Sequence, residues 1–381
     1  MKKVFVFALA VAAFASCAKS EMTSVTDVAK SVEMKFSAYT NESLAGTRGT
    51  DADNSNIAAD GNAIGIYAFN SNGTNFDASL NNHKLVSNAG AWESASASYW
   101  MENTVYNFYA YFPYVSAVAT TDTQIITDYT AIPFSAASQT DILYTGVKTV
   151  TTNDDVTNMP AVALTFKHAT SKVDFKFSVS DDSKVNIKSL RLEGLSSTHT
   201  GLALADGFAN TVVADCSHSG NRAYFYGTAQ NLTSAIDMTS AASVTLSTET
   251  GAGAFYLLPQ SITPWSIDAE AGAAFEEGAR LVINYTLTDS ADNIIIPQSG
   301  VGTQDAAFPI PVIIDAVSGS AVGLQEGKSY VFTVDFSEDM LGWEPETGEP
   351  VVPQDEDEDK LIKFEVTVTD WVSPTVEISL N

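Results

Sequence analysis

Four histidines, His83, His168, His199 and His218, are the side chains best suited to acid–base or metal chemistry near neutral pH, and they are scattered along the chain. No Cys, Asp or Glu stands at ligand spacing beside His168, so its expected role is structural. The carboxylate pair Asp181-Asp182 sits in a turn-like context, and no G-x-S-x-G nucleophile motif stands out. Residues 355–359 form an unbroken acidic run, and Asp51-Ala52-Asp53-Asn54 opens like a calcium loop. Neither has the glycine and spacing of an ordered calcium site, so both read as solvated loops. The expectation is no catalytic residue, no metal and no cofactor.

Two positions suit covalent processing instead. Lys2 and Lys3 precede an apolar run, residues 4–15, that is short for a bilayer span and fits a signal-peptide core. It ends at Phe14-Ala15-Ser16-Cys17, where small residues before a cysteine resemble the lipobox of a bacterial lipoprotein, with Phe14 in place of the usual leucine. Cys17 is then the lipidated first residue of the exported protein, and the other cysteine, Cys216, suggests no disulfide framework. Residues 18–31 are a polar tether that would hold the chain near a membrane surface by its acyl chains. Arg48 is the second position. It lies in a polar segment with Asn41, Glu42, Ser43, Gly46 and Thr47, and it is followed by Gly49 and a polar run to Asn56. Proteases cut in such loops, and an Arg-specific, trypsin-like protease would cut between Arg48 and Gly49.

The element that gives this cut a consequence lies just before it. Val32, Met34, Phe36 and Ala38 fall on one side of an extended chain, with Glu33, Lys35, Ser37 and Tyr39 on the other, so the stretch reads as a strand with one buried face. Cleavage after Arg48 would detach the anchor and remove that strand together, leaving an open apolar groove. At the other end, Phe364, Val366 and Val368 alternate up to Trp371. Ser373-Pro374 then breaks the chain, and Val376, Ile378 and Leu380 alternate again. A terminal strand of this kind is expected to pair with its own sheet or with another molecule's open edge.

With 381 residues, 45% hydrophobic and 17% charged, the chain has enough apolar content for sizeable cores and enough length for two domains. A formal charge of -27 excludes nucleic acid and a polybasic membrane patch. Short alternating runs rich in Thr, Val and aromatics, broken by Gly, Asn and Asp, predict an all-β chain. Strands are expected at residues 63–70, 106–111, 142–147, 254–263, 279–287 and 327–336. Residues 161–180 read as two strands around His168–Lys172. Trp92, Tyr99 and Trp100 read either as sandwich core or as a platform for a sugar. The polar break Thr151-Thr152-Asn153-Asp154-Asp155 places the domain boundary near it.

Taken in order, the lipobox-like Cys17, the strand before Thr47-Arg48-Gly49 and the double strand from Phe166-Lys167-His168 to Phe177 resemble the fimbrillin family, the type V pilins of Bacteroidota. The Leu257-Leu258-Pro259 turn and Lys328-Ser329-Tyr330 with Phe364 to Trp371 continue the resemblance. It implies two β-sandwich domains of transthyretin-like character in tandem, lipoprotein export, cleavage after an arginine, and polymerisation with other copies and related pilins by strand exchange. Arg48 matches the processing position, and the terminal strands match the donor of a shaft-type subunit. The implied layout is 1–17 signal peptide, 18–48 tether and removable strand, 49–157 N-terminal domain and 158–381 C-terminal domain. A fimbrium anchor or tip subunit and a glycan-binding surface lipoprotein are the alternatives.

Overall fold

The computed structural model describes residues 32–40, 57–70, 80–116, 125–126, 141–179, 183–196, 201–208, 226–239, 243–245, 254–265, 278–315, 317–336, 342, 344–345, 349, 351 and 364–370. Cys17, Arg48, Gly49, Val376, Ile378 and Leu380 lie outside them. The architecture is all-β and sandwich-like, as the composition predicts.

Strands that are apolar on both faces need cover on both faces, and β2 (Ala63–Asn70) and β5 (Val105–Phe112) are such strands. They pair antiparallel at the centre of an eight-stranded sheet ordered β1-β9-β7-β5-β2-β3-β4, with β8 also on β5. The others are β1 (Phe36–Thr40), β3 (His83–Asn88), β4 (Ala91–Ser94), β7 (Leu143–Tyr144), β8 (Lys148–Thr151) and β9 (Val162–His168). On one face Ile64, Ile66, Ala68, Phe108, Leu164 and Phe166 form a core. On the other, Tyr67, Phe69, Tyr109, Tyr111 and Tyr144 pack against Leu202, Leu204, Phe208 and Leu258 from the second half of the chain. Gly65 is required here by close approach: a Cβ on it would stand 2.2 Å from the Tyr111 ring.

The second half is a sandwich of two five-stranded sheets. The first sheet holds β10 (Ser171–Val179), β14 (Ser243–Thr245), β15 (Phe255–Leu257), β19 (Lys328–Phe336) and β20 (Phe364–Asp370), with β10 and β19 parallel. The second holds β11 (Ser183–Glu193), β13 (Tyr226–Thr239), β16 (Arg280–Asp289), β17 (Ile294–Ile296) and β18 (Gln304–Pro309). The alternation that predicts β10 and β19 places Val173, Phe175, Phe177, Phe332, Val334 and Phe336 inward, against Ile187, Leu192, Ile283 and Tyr285. A short pairing of β6 (Ile125–Ile126) with β12 (Leu202–Ala203) links the two halves.

β9 follows the expected boundary at 157/158, yet it pairs with β1 and β7 in the first sheet. The chain changes sheet only after β9, between His168 and Ser171.

Candidate functional site

The stretch 32–40 is held by two different walls. Its first part pairs with residues 98–100: Met34 N donates to Ser98 O at 2.7 Å, Trp100 N donates to Val32 O at 3.0 Å, and Glu33 bridges Tyr99 antiparallel. Its second part, β1, runs parallel to β9 from Phe36↔Val162 to Thr40↔Phe166, and Val162 N donates to Lys35 O at 2.8 Å. Among the described residues β1 is the terminal strand of its sheet, joined on one side only.

The predicted alternation holds in space. Met34 is 5% exposed, and Val32, Phe36 and Ala38 are partly buried against the same core, while Glu33, Lys35 and Tyr39 face outward. The floor is aromatic. Phe36 stands edge-on to Phe108 at 5.9 Å, and the Trp100 indole meets Tyr106 at 5.1 Å and Phe108 at 5.9 Å, both edge-on. Trp100 is thus buried in the core, Trp92 is half-buried against it, and of the three only Tyr99 is exposed.

Each wall has support of its own. Beside 98–100, Met101 N donates to the Tyr106 hydroxyl at 2.7 Å, and the Thr152 hydroxyl donates to Met101 O at 2.6 Å. β9 is tied to β7 on its far side through Leu143↔His168 and Tyr144↔Lys167. At its end His168 Nδ1 lies 2.7 Å from Asp141 Oδ2, with both side chains buried. Sequence reasoning did not find Asp141, because nothing local marks a partner in a separate segment. Half-buried His83 contacts the Ser94 hydroxyl across the β3–β4 hairpin at 2.5 Å, and His199 and His218 lie outside the described residues.

Two polar clusters lie away from the groove. Glu193 accepts from Arg280 Nε at 2.6 Å and from Arg191 Nε at 2.7 Å, and Arg191 also reaches Asp305 at 3.1 Å. Arg280 is buried over the Trp265 ring and donates to Pro345 O at 2.9 Å. Burial opposes ionisation of Glu193, but the two guanidiniums outweigh it and hold the carboxyl below its usual range. At the junction of the halves, the Tyr144 hydroxyl donates to Glu326 at 2.9 Å, and Lys167 sits 4.4 Å over the Tyr144 ring and 3.3 Å from Glu326. Burial, then the Glu326 charge, raises the Tyr144 phenol well above its usual value. Both are structural ion-pair arrangements, and among the described residues no three of His, Cys, Asp and Glu converge as metal ligands.

The distinguishing feature is therefore an edge strand over an aromatic floor. A family described as fimbrillin-like matches residues 47–371. The chain belongs to the fimbrillin-like family. Membership makes it a fimbrial subunit of the cell surface. Among solved structures, a putative cell adhesion protein from Bacteroides uniformis is 17% identical, with 89% of this chain and 99% of that chain covered and a TM-score of 0.43. A fimbrial protein from Bacteroides vulgatus is 14% identical, with 89% and 99% covered and a TM-score of 0.47. A putative cell adhesion protein from Parabacteroides distasonis is 12% identical, with 89% and 100% covered and a TM-score of 0.45. No curated protein matches the chain.

Proposed function

We propose that this fimbrillin-like chain is a polymerising shaft pilin. It is exported as an outer-membrane lipoprotein through Cys17, cut after Arg48 by an Arg-specific trypsin-like protease, and assembled head to tail into an adhesive fimbrium. Each copy's Val376, Ile378 and Leu380 enter the groove that another copy's Val32–Ala38 has vacated. The observation that carries this reading is the position of that segment: β1 is the terminal strand of its sheet, Met34 just before it is buried and bonded to Ser98, and the stretch precedes the arginine in sequence.

The energetics run the same way. Loss of the segment uncovers the edge of β9 and the backbone of 98–100, whose hydrogen bonds contribute about 1 kcal/mol each when paired. It also uncovers apolar floor, and refilling it with three side chains would recover about 1.5–3 kcal/mol for each one fully buried, before ordering costs. A donor at one end and a groove at the other make a heterologous contact that does not close, so the product is a filament. The acyl anchor delays assembly until the subunit is at the surface.

The test is N-terminal sequencing of the protein before and after limited trypsin treatment, with Arg48→Ala as control, followed by gels of unboiled samples. A new N-terminus at Gly49 with multimer ladders only in the cleavable protein is the expected result, and deletion of residues 375–381 should abolish the ladder. Retention of the Val32 segment without multimers would sink the shaft reading.

A further inference from the structure

The C-terminal stretch Val376-Glu377-Ile378-Ser379-Leu380-Asn381 aligns residue for residue with Val32-Glu33-Met34-Lys35-Phe36-Ser37. The first two residues are identical, the three apolar positions coincide, and the remaining positions are polar in both. We propose that the donor strand enters the neighbouring copy's groove in the same direction as the strand it replaces, with Val376 at the place of Val32, Ile378 at Met34 and Leu380 at Phe36. This deepens the strand-exchange reading and rests on it.

Side-chain size selects the register. In this placement Val376 equals the residue it replaces, Ile378 matches Met34 closely in volume, and Leu380 is smaller than Phe36, so no position is overfilled. Every other placement that keeps the apolar face inward sets a larger side chain at Val32 or at Ala38, both of which pack against the core. Shifting forward by two residues puts Leu380 at Ala38, and shifting back by two puts Ile378 at Val32. Reversing the strand with Leu380 at Met34 puts Val376 at Ala38, and reversing it with Leu380 at Val32 overfills that place. A slip of one residue would turn Glu377 and Ser379 into the core.

The backbone fits the same register. Val376 O would accept from Trp100 N, Ile378 N would donate to Ser98 O, and Ser379 O would accept from Val162 N, reproducing the three bonds that Val32, Met34 and Lys35 make. Pro374 falls before the first of these bonds, where its missing N–H takes nothing from the ladder. The antiparallel wall at 98–100 thereby becomes the main latch, and the donor ends near the start of β9.

Cysteine pairing in trypsin-cleaved full chain, in a Cys216→Ser background, separates the registers. Asn381→Cys on the donor would stand where Ser37 stands, opposite Ala163. In the reversed placement with Leu380 at Met34 it would stand at Glu33, opposite Tyr99, and in the forward shift at Tyr39, opposite Thr165. Disulfide-linked ladders with Ala163→Cys, and at least ten-fold fewer with Tyr99→Cys or Thr165→Cys, are expected. Preferential linkage to Tyr99→Cys or Thr165→Cys, or linkage to none, overturns the register. A second arm needs no cysteine: Leu380→Phe, which restores the original ring on Phe108, should slow dissociation of the unboiled ladder, and Val376→Phe should speed it. The opposite order also overturns the proposal. If ladders fail to form even with the natural C-terminus, strand exchange itself falls, which is distinguishable from ladders that form with another linkage.

Discussion

Met34→Ala tests whether the N-terminal strand is an integral part of the uncut fold. Met34 is 5% exposed and sits in the core with Phe108, Leu164 and Trp100. Truncating a buried methionine to alanine costs about 2–5 kcal/mol, from lost transfer energy and the cavity left behind. An edge segment collapses onto a cavity more readily than a central strand, which puts the expected loss near the lower end, about 2–3 kcal/mol. Lys35→Ala, one residue on and facing solvent, is the matched control and should stay within about 0.5 kcal/mol. Urea titration of the uncut chain should show a lower midpoint with an unchanged slope for Met34→Ala alone. In chain cut after Arg48, the same substitution should favour release of the 32–48 segment, by about thirty-fold for 2 kcal/mol. Quantifying the free peptide after gel filtration measures this. Equal effects of Met34→Ala and Lys35→Ala would refute the reasoning, because the two residues would then not occupy opposite faces of a packed strand.

Four further outcomes follow from the structure. Glu193→Ala leaves Arg280 buried without its carboxylate, and breaking a buried pair of this kind should cost about 3–5 kcal/mol in a denaturant titration. Because Glu193 is held below its usual value in the folded chain, its contribution is present above its unfolded value and should disappear as pH falls through the folded one; urea midpoints across acid pH, compared between the natural chain and Glu193→Gln, check this. Burial pushes the Tyr330 phenol up to about 12, against the opposing hydrogen bond from Gln325 N. Its folded value lies above its unfolded one, so the stability it contributes is complete below about pH 10 and declines towards the folded value. Difference spectrophotometry of the natural chain and Tyr330→Phe should show the missing phenolate signal at that alkaline limit. Gly65→Ala drives a methyl into the Tyr111 ring and should destabilise the chain by about 1–3 kcal/mol, read as a lower thermal midpoint.

Individual strands were legible where one side of the chain is consistently apolar. Residues 63–70, 106–111 and 327–336 alternate or run apolar over enough length to mark β2, β5 and β19. Partnership was not legible, because pairing is a non-local property. β1 lies parallel to β9, and β10 parallel to β19, each pair far apart in sequence, and no turn residue records either contact. The polar break at 151–155 is a loop between β8 and β9, and both strands belong to one sheet. Arg280 opens a run that reads as an ordinary strand, and its burial depends on Glu193, Trp265 and Pro345, three separate segments. The inward face of Val32–Ala38 was readable, but its division between two walls was not.

On the proposed strand-exchange reading, that division would make the strand replaceable. If β1 were a central strand, removing it would cut a sheet in two and unpair neighbours on both sides. As an edge it supports no further strand among the described residues. Met101, beside the 98–100 wall, keeps its Tyr106 and Thr152 hydrogen bonds, and β9 keeps β7 and the His168–Asp141 contact, all independent of residues 32–40. On that reading, loss of the segment would expose a groove whose two sides keep these contacts. An empty groove with fixed walls selects its occupant by side-chain size and backbone register, and it does so without a further conformational change in the acceptor. This favours a strand from outside that copies the displaced one, and it disfavours collapse of the acceptor onto its own aromatic floor.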